Sequence, residues 1–217
     1  MKQTKQFSRS QKIATKIVKH VGLWMENTER IIIGIEGYSA SGKTTVADCL
    51  AKDDSRIVVI HLDDLLKSSE DRVAMMTSDE DRSKVFELKW YRYDLLNSIV
   101  EKFKQSEQYS VEIYDYDLKK TITKVYDLAK PILIIEGIFL FHPEHTISKA
   151  FNRKVYLAVD FDKADGRRNR REKNRWGKDY VDESHPDSFI KPFKEAYRRY
   201  FNSHHPDKLA DLVIKIV

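Results

Sequence analysis

Of 217 residues only one, Cys49, is a cysteine. No internal disulfide can form within the chain, and a reducing cytosol is the expected setting. Glycine and proline are also scarce, at 7 and 5 residues, and they nowhere cluster into a linker or a low-complexity tract. Long apolar runs are missing. The longest blocks, Ile31–Ile35 and Ile132–Ile135 followed by Gly137–Phe141, fall far short of the ~20 residues that span a bilayer. The N-terminus is basic, but no apolar run of ~7–15 residues follows it, so no secretory signal is expected. A strong charge imbalance is absent as well, with 39 Lys+Arg against 34 Asp+Glu. The reading is a soluble, cytoplasmic protein with no membrane partner.

Hydrophobic residues make up 41% of the chain and come in compact blocks, which argues for a folded core and against disorder. Five short blocks are β-branched and apolar: Arg30–Glu36, Ile57–His61, Ile132–Glu136, Lys154–Val159 and Leu212–Ile216. Runs apolar on both faces suit strands buried between two helical layers, as in a parallel sheet. Helical periodicity lies between them, over Thr44–Lys52 and in one long stretch over Ser83–Phe103. An α/β fold follows, with a mostly parallel sheet flanked by helices. Ile13, Ile17, Val21 and Trp24 also recur at helical spacing, so residues 1–30 are read as a helical extension before a domain of residues 31–217. Val111–Tyr116 and Lys119–Tyr126 alternate weakly, as a short hairpin outside the main sheet would.

Directly after the first strand stands Gly37-Tyr38-Ser39-Ala40-Ser41-Gly42-Lys43-Thr44, followed by Thr45. This fits G-x-x-x-x-G-K-[ST], and each part has a physical task. The glycines let the backbone curl so that successive N–H groups point at phosphate oxygens. Lys43 adds a positive charge at the β- and γ-phosphates, the Thr44 hydroxyl can ligate Mg²⁺, and the helix that follows aims its N-terminal dipole at the same anion. Gly37, Ser39, Ala40, Ser41, Gly42, Lys43, Thr44 and Thr45 are therefore the expected ATP-binding residues. The GTPase signatures N-K-x-D and D-x-x-G are absent from the sequence.

In open α/β sheets ligands bind beyond the carboxyl ends of the strands. Asp63 and Asp64 follow one such end and Glu136 closes another. A carboxylate there can face Lys43, hold Mg²⁺ and accept a hydroxyl proton, which is what phosphoryl transfer needs. A second cationic feature is the run Arg167, Arg168, Arg170, Arg171, Lys173, Arg175 and Lys178, with Glu172 the one acid among them. Beside a phosphate loop, it reads as cations closing over phosphates and argues against a nucleic-acid contact. The histidines at 145, 185, 204 and 205 lack a spacing that suggests zinc.

GYSASGKTT, HLDDLLK, IYDYDLKKT, ILIIEGIFL, VDFDKADGRRNRRE and HPDKLADLVIKI, in that order, resemble the uridine kinase and phosphoribulokinase-like P-loop kinases. The resemblance implies a five-stranded sheet with an arginine-rich lid at about residues 163–180. It implies an ATP- and Mg²⁺-dependent kinase acting on a hydroxyl of a small molecule, most simply a uridine-kinase-like nucleoside kinase. Asp63 matches the family's general base, Thr44, Asp63 and Glu136 its magnesium site, and Arg167, Arg170 and Arg171 its lid. On the acceptor side Asp64, Trp90, Tyr114 and Lys119 are the candidates, although Trp90 also has the spacing of a core residue. Leu65 and Leu66 stand where the family carries aromatics, Lys119 replaces a histidine and Thr121 an arginine. A kinase of another metabolite alcohol, or an ATP-binding regulatory or RNA-associated protein, stays open as an alternative.

Overall fold

The computed structural model describes residues 2–115 and 120–216, with side chains from residue 9 onward. The chain opens with helix α1 (Lys2–Trp24) and continues through β1 (Ile31–Gly37), α2 (Lys43–Asp53), β2 (Ile57–His61) and a 3₁₀ turn at Leu62–Leu65. Next come α3 (Ser69–Ser78), a short α4 (Arg82–Lys84) running into a π-helical turn at Val85–Lys89, and α5 (Tyr93–Lys104). An antiparallel hairpin of β3 (Gln108–Asp115) and β4 (Lys120–Asp127) precedes β5 (Ile132–Gly137), β6 (Arg153–Val159) and α6 (Phe161–Trp176). Helix α7 (Ile190–His204) and β7 (Leu212–Ile216) close the chain.

The main sheet has the order β2-β5-β1-β6-β7, and every pairing in it is parallel. All five apolar blocks are strands of this sheet. Alternation along β1 divides the core in two. Ile31, Ile33 and Ile35 pack with Val46 and Leu50 of α2 and with Ala14, Ile17 and Val21 of α1. Ile32 belongs to the opposite layer, with residues of α5 and α7. Among the described residues no helix is long and apolar enough to cross a membrane.

The expected helix over Ser83–Phe103 is interrupted. Trp90, Tyr91 and Arg92 leave the helical path, and Tyr91 forms a β-bridge with Leu66. Backbone bonds on either side, Arg92 N to Leu65 O (2.8 Å) and Lys67 N to Trp90 O (3.3 Å), tie the break to the segment after β2. No proline or glycine causes it; pairing with a distant segment outweighs local periodicity. The hairpin forms as expected, with Val111 and Ile113 turned to the core.

Candidate active site

β1 ends in the glycine-rich loop because nothing larger fits there. A Cβ on Gly37 would lie 2.7 Å from the Leu157 carbonyl oxygen. Ala40 and Gly42 adopt positive φ angles of 58° and 93°, the second capping α2 in a left-handed conformation. The loop is buttressed through Tyr38, whose hydroxyl donates to Asp165 of α6 (2.7 Å) and whose ring stacks on Phe193. Lys43 is buried and its ammonium folds back to donate to the carbonyls of Gly37 (2.9 Å) and Tyr38 (3.1 Å). Burial lowers its pKa, opposed by the charges of Glu136, Asp63 and Glu36. Ser41 Oγ is buried within the same loop without a hydrogen-bond partner.

Glu136 ends β5, directly beside His61 at the end of β2. One of its oxygens, Oε1, accepts from the Thr44 hydroxyl (2.9 Å) and lies 2.8 Å from His61 Nδ1. Burial alone would raise this carboxyl, but the His61 bond and the Lys43 charge hold it below the usual range. His61 is raised, its desolvation outweighed by that same bond and by the Glu136 charge.

Asp63 sits in the 3₁₀ turn beyond β2, and its Oδ1 accepts from the Tyr91 hydroxyl at 3.1 Å. The residue is open to solvent at the mouth of the cleft. Partial desolvation by the cleft walls, then the like charge of Glu136, push its carboxyl upward; Lys43 opposes this. Lys43, Thr44, Asp63 and Glu136 thus converge at the carboxyl ends of β1, β2 and β5. Their donor set, a hydroxyl and two carboxylates, is the hard-oxygen chemistry that suits Mg²⁺.

Arg167, Arg170 and Arg171 all lie on α6. Arg167 Nε donates to the Ala40 carbonyl at 3.2 Å, which brings it onto the loop. Arg171 pairs with Glu172 (2.9 Å) while its charge reaches Lys43 and Asp63. Arg170 is exposed. Arg168 turns away and packs its guanidinium over Phe193, 4.0 Å from the ring centre.

The acceptor candidates scatter. Asp64 is bound to the hairpin, accepting from Lys124 Nζ (2.6 Å) and the Tyr126 hydroxyl (3.2 Å). Trp90, a stacking candidate whose spacing also fitted the core, is a core residue: it is buried, with Phe86 at 4.1 Å between ring centres and Phe189 edge-on. Tyr114 is exposed on β3, and Lys119 lies outside the described residues. A cavity of about 630 Å³ opens beside this region, with Lys67, Ser68, Arg92 and Asp94 among its lining residues.

Three contributors escaped sequence reasoning, His61, Tyr91 and Asp165, and so did one buried acid beside the site, Glu36. Glu36 ends β1 fully buried, accepting from Phe141 N (2.7 Å) and the Tyr200 hydroxyl (2.9 Å), with Oε1 unpartnered. Burial pushes its carboxyl up to about 7. Its signal was available, as an acid at a strand exit like Glu136. Glu87, His142 and His204 also bring possible ligand atoms within 4.8 Å of one another. However, Arg199 Nε donates to Glu87 Oε2 (2.9 Å) and Glu144 N donates to His142 Nδ1 (3.2 Å), so this cluster reads as a satisfied hydrogen-bond network.

Sheet order, phosphate loop and strand-end acids define a P-loop kinase fold. The profile of the Phosphoribulokinase / Uridine kinase family matches residues 32–217, and the chain belongs to that family. It is 31% identical over 157 residues to Uridine kinase-like protein 4 of Arabidopsis thaliana, covering 68% of this chain and 31% of that protein. It is also 31% identical over 173 residues to a uridine kinase of Schizosaccharomyces pombe, covering 77% and 37% respectively. The chain therefore spans about a third of the length of these relatives. Among solved structures, a possible uridine kinase from Bacillus stearothermophilus superposes with a TM-score of 0.66 at 22% identity, covering 99% of this chain and 100% of that one. Phosphoribulokinase from Rhodobacter spheroides follows with a TM-score of 0.60 at 12% identity, covering 86% and 70%.

Proposed function

We propose that this chain transfers the γ-phosphate of ATP to a hydroxyl of a small molecule, with a pyrimidine nucleoside such as uridine as the acceptor. The observation that carries this reading is the convergence of Lys43, Thr44, Asp63 and Glu136 in one cleft beyond three parallel strands. Backbone N–H groups of residues 37–45 cradle the β- and γ-phosphates. Lys43 exchanges its two carbonyl partners for phosphate oxygens. Thr44, Asp63 and Glu136 would hold Mg²⁺, which would supply charge neutralisation at the phosphates. Asp63 orients the acceptor hydroxyl and takes its proton. Arg167, Arg170 and Arg171 act as a lid on α6 and spread the charge that develops on the migrating group. The acceptor lies near Asp64 and Tyr114, on the hairpin side of Asp63, and Lys119 is a further candidate from the sequence. The lone buried cysteine suits a cytoplasmic setting.

One observation favours a second acceptor class, another metabolite alcohol: Leu65 and Leu66 offer no aromatic surface to a base. ADP release, measured with a panel of nucleosides, vitamin precursors and sugar phosphates, tests both. Stimulation by uridine or cytidine supports the nucleoside reading, and stimulation by another alcohol replaces it. Stimulation by RNA alone, with a steep salt dependence, overturns the kinase reading.

A further inference from the structure

We infer that Tyr91 is a positioning residue for Asp63: its hydroxyl holds one carboxylate oxygen so that the other faces the acceptor. The inference rests on the role proposed above for Asp63.

Asp63 stands on a short turn at the open mouth of the cleft, where a carboxylate is free to rotate. Its Oδ1 accepts from the Tyr91 hydroxyl, and among the described residues Oδ2 makes no hydrogen bond. One oxygen is thus tethered and one is available, the arrangement a carboxylate needs to meet an incoming hydroxyl in a single orientation. Tyr91 suits the task because it is itself immobile. The residue is buried at 4% exposure, and its backbone is bridged to Leu66, three residues beyond Asp63.

The fold gives up helical continuity to place this hydroxyl. Residues 90–92 leave the helical path that 83–103 would otherwise follow, and the π-helical turn before them is pinned at Glu87. Glu87 receives Arg199 Nε (2.9 Å) and lies 3.2 Å from His142 Nε2, and its carbonyl accepts from His145 Nε2 (2.9 Å). Donor and acceptor thus sit on two segments fastened to each other backbone to backbone, and one of them is anchored to α7 and to the loop after β5.

The test is Tyr91→Phe, which keeps the ring and its packing. With ATP and uridine as the probe acceptor, kcat is expected to fall roughly tenfold, the scale of one hydrogen bond to a charged group. KM for ATP and the melting temperature stay at wild-type values. In an Asp63→Ala background the same substitution should change residual turnover less than about twofold, because its effect passes through Asp63. An equal loss in both backgrounds, or a loss confined to KM, overturns the inference. If the wild type neither phosphorylates uridine nor hydrolyses ATP, the functional reading fails, and a crystal structure of Tyr91→Phe decides the positioning role alone. An Asp63 carboxylate that swings away or splits between rotamers upholds it; one that keeps its wild-type position overturns it.

Discussion

Glu36 and Glu136 end neighbouring parallel strands, one residue out of register, with Ile35 opposite Glu136 and Glu36 opposite Gly137. Both are buried, at 0% and 3% exposure, yet their carboxyls shift in opposite directions, Glu36 up to about 7 and Glu136 down. The single-residue offset explains this, since alternation sends the two side chains to opposite faces of the sheet. Glu136 faces α2, where Thr44, His61 and Lys43 favour its charge. Glu36 faces α7, where one amide, a phenol and the lesser pull of the Lys43 and Lys154 charges do not offset its desolvation. Burial of an acid at a strand end therefore does not fix the direction of its shift; the hydrogen bonds and charges on its own face of the sheet do.

The comparison breaks most readily at Glu136. Glu136→Gln should lower turnover at saturating ATP by ~10³-fold, about 4 kcal/mol, the scale of a lost electrostatic group at a transferring phosphate. Steady-state ADP release near the wild-type rate would remove Glu136 from the site. The next effect is on stability. A carboxyl raised in the fold stabilises it fully below the unfolded value and loses that contribution as pH rises through the folded one. The Glu36 contribution is thus present below about 4.5 and gone above about 7. It amounts to at most ~3 kcal/mol. Denaturant melts from pH 4 to 8 should show this decline in the wild type and lose it in Glu36→Gln, which keeps the acceptor oxygen and stays within a few-fold of normal turnover. For Glu136 the sign reverses: its stabilisation is present above the unfolded value and lost as pH falls through the lowered one.

Asp63→Asn sharpens the contrast from a third strand end. ATP binding by calorimetry should persist while transfer drops by ~10²-fold, as expected for a lost base. The smallest effect belongs to the hairpin. Lys124→Met removes the Asp64 partner at 2.6 Å, a half-exposed pair worth ~1 kcal/mol or less in thermal melts. A larger change in acceptor KM than in melting temperature would tie the hairpin to acceptor binding.

What was readable in the sequence was local. The strands of the parallel sheet are contiguous apolar runs, and the phosphate loop is a contiguous motif whose geometry depends on its own residues. Tyr91 and Asp63 are 28 positions apart, Glu36 and Tyr200 164 apart. No periodicity encodes such distances. The break at residues 90–92 was invisible for the same reason, because the partner that opens the helix is the backbone of Leu65–Lys67. The parity of Glu36 within IIIGIEG did carry a signal. It shares a face with Ile32, opposite the face of Ile31, Ile33 and Ile35 that meets α2.

Helix α1 has a practical consequence for anyone trimming this protein. The family match begins at residue 32, whereas Ala14, Ile17 and Val21 cover Ile31 and Ile33 from outside that span. Gln11 also reaches across to the Asp53 carboxylate at the end of α2. A recombinant fragment cut at the homology boundary would bare the apolar surface that α1 covers on α2 and the start of β1, and should come out of the cell as inclusion bodies.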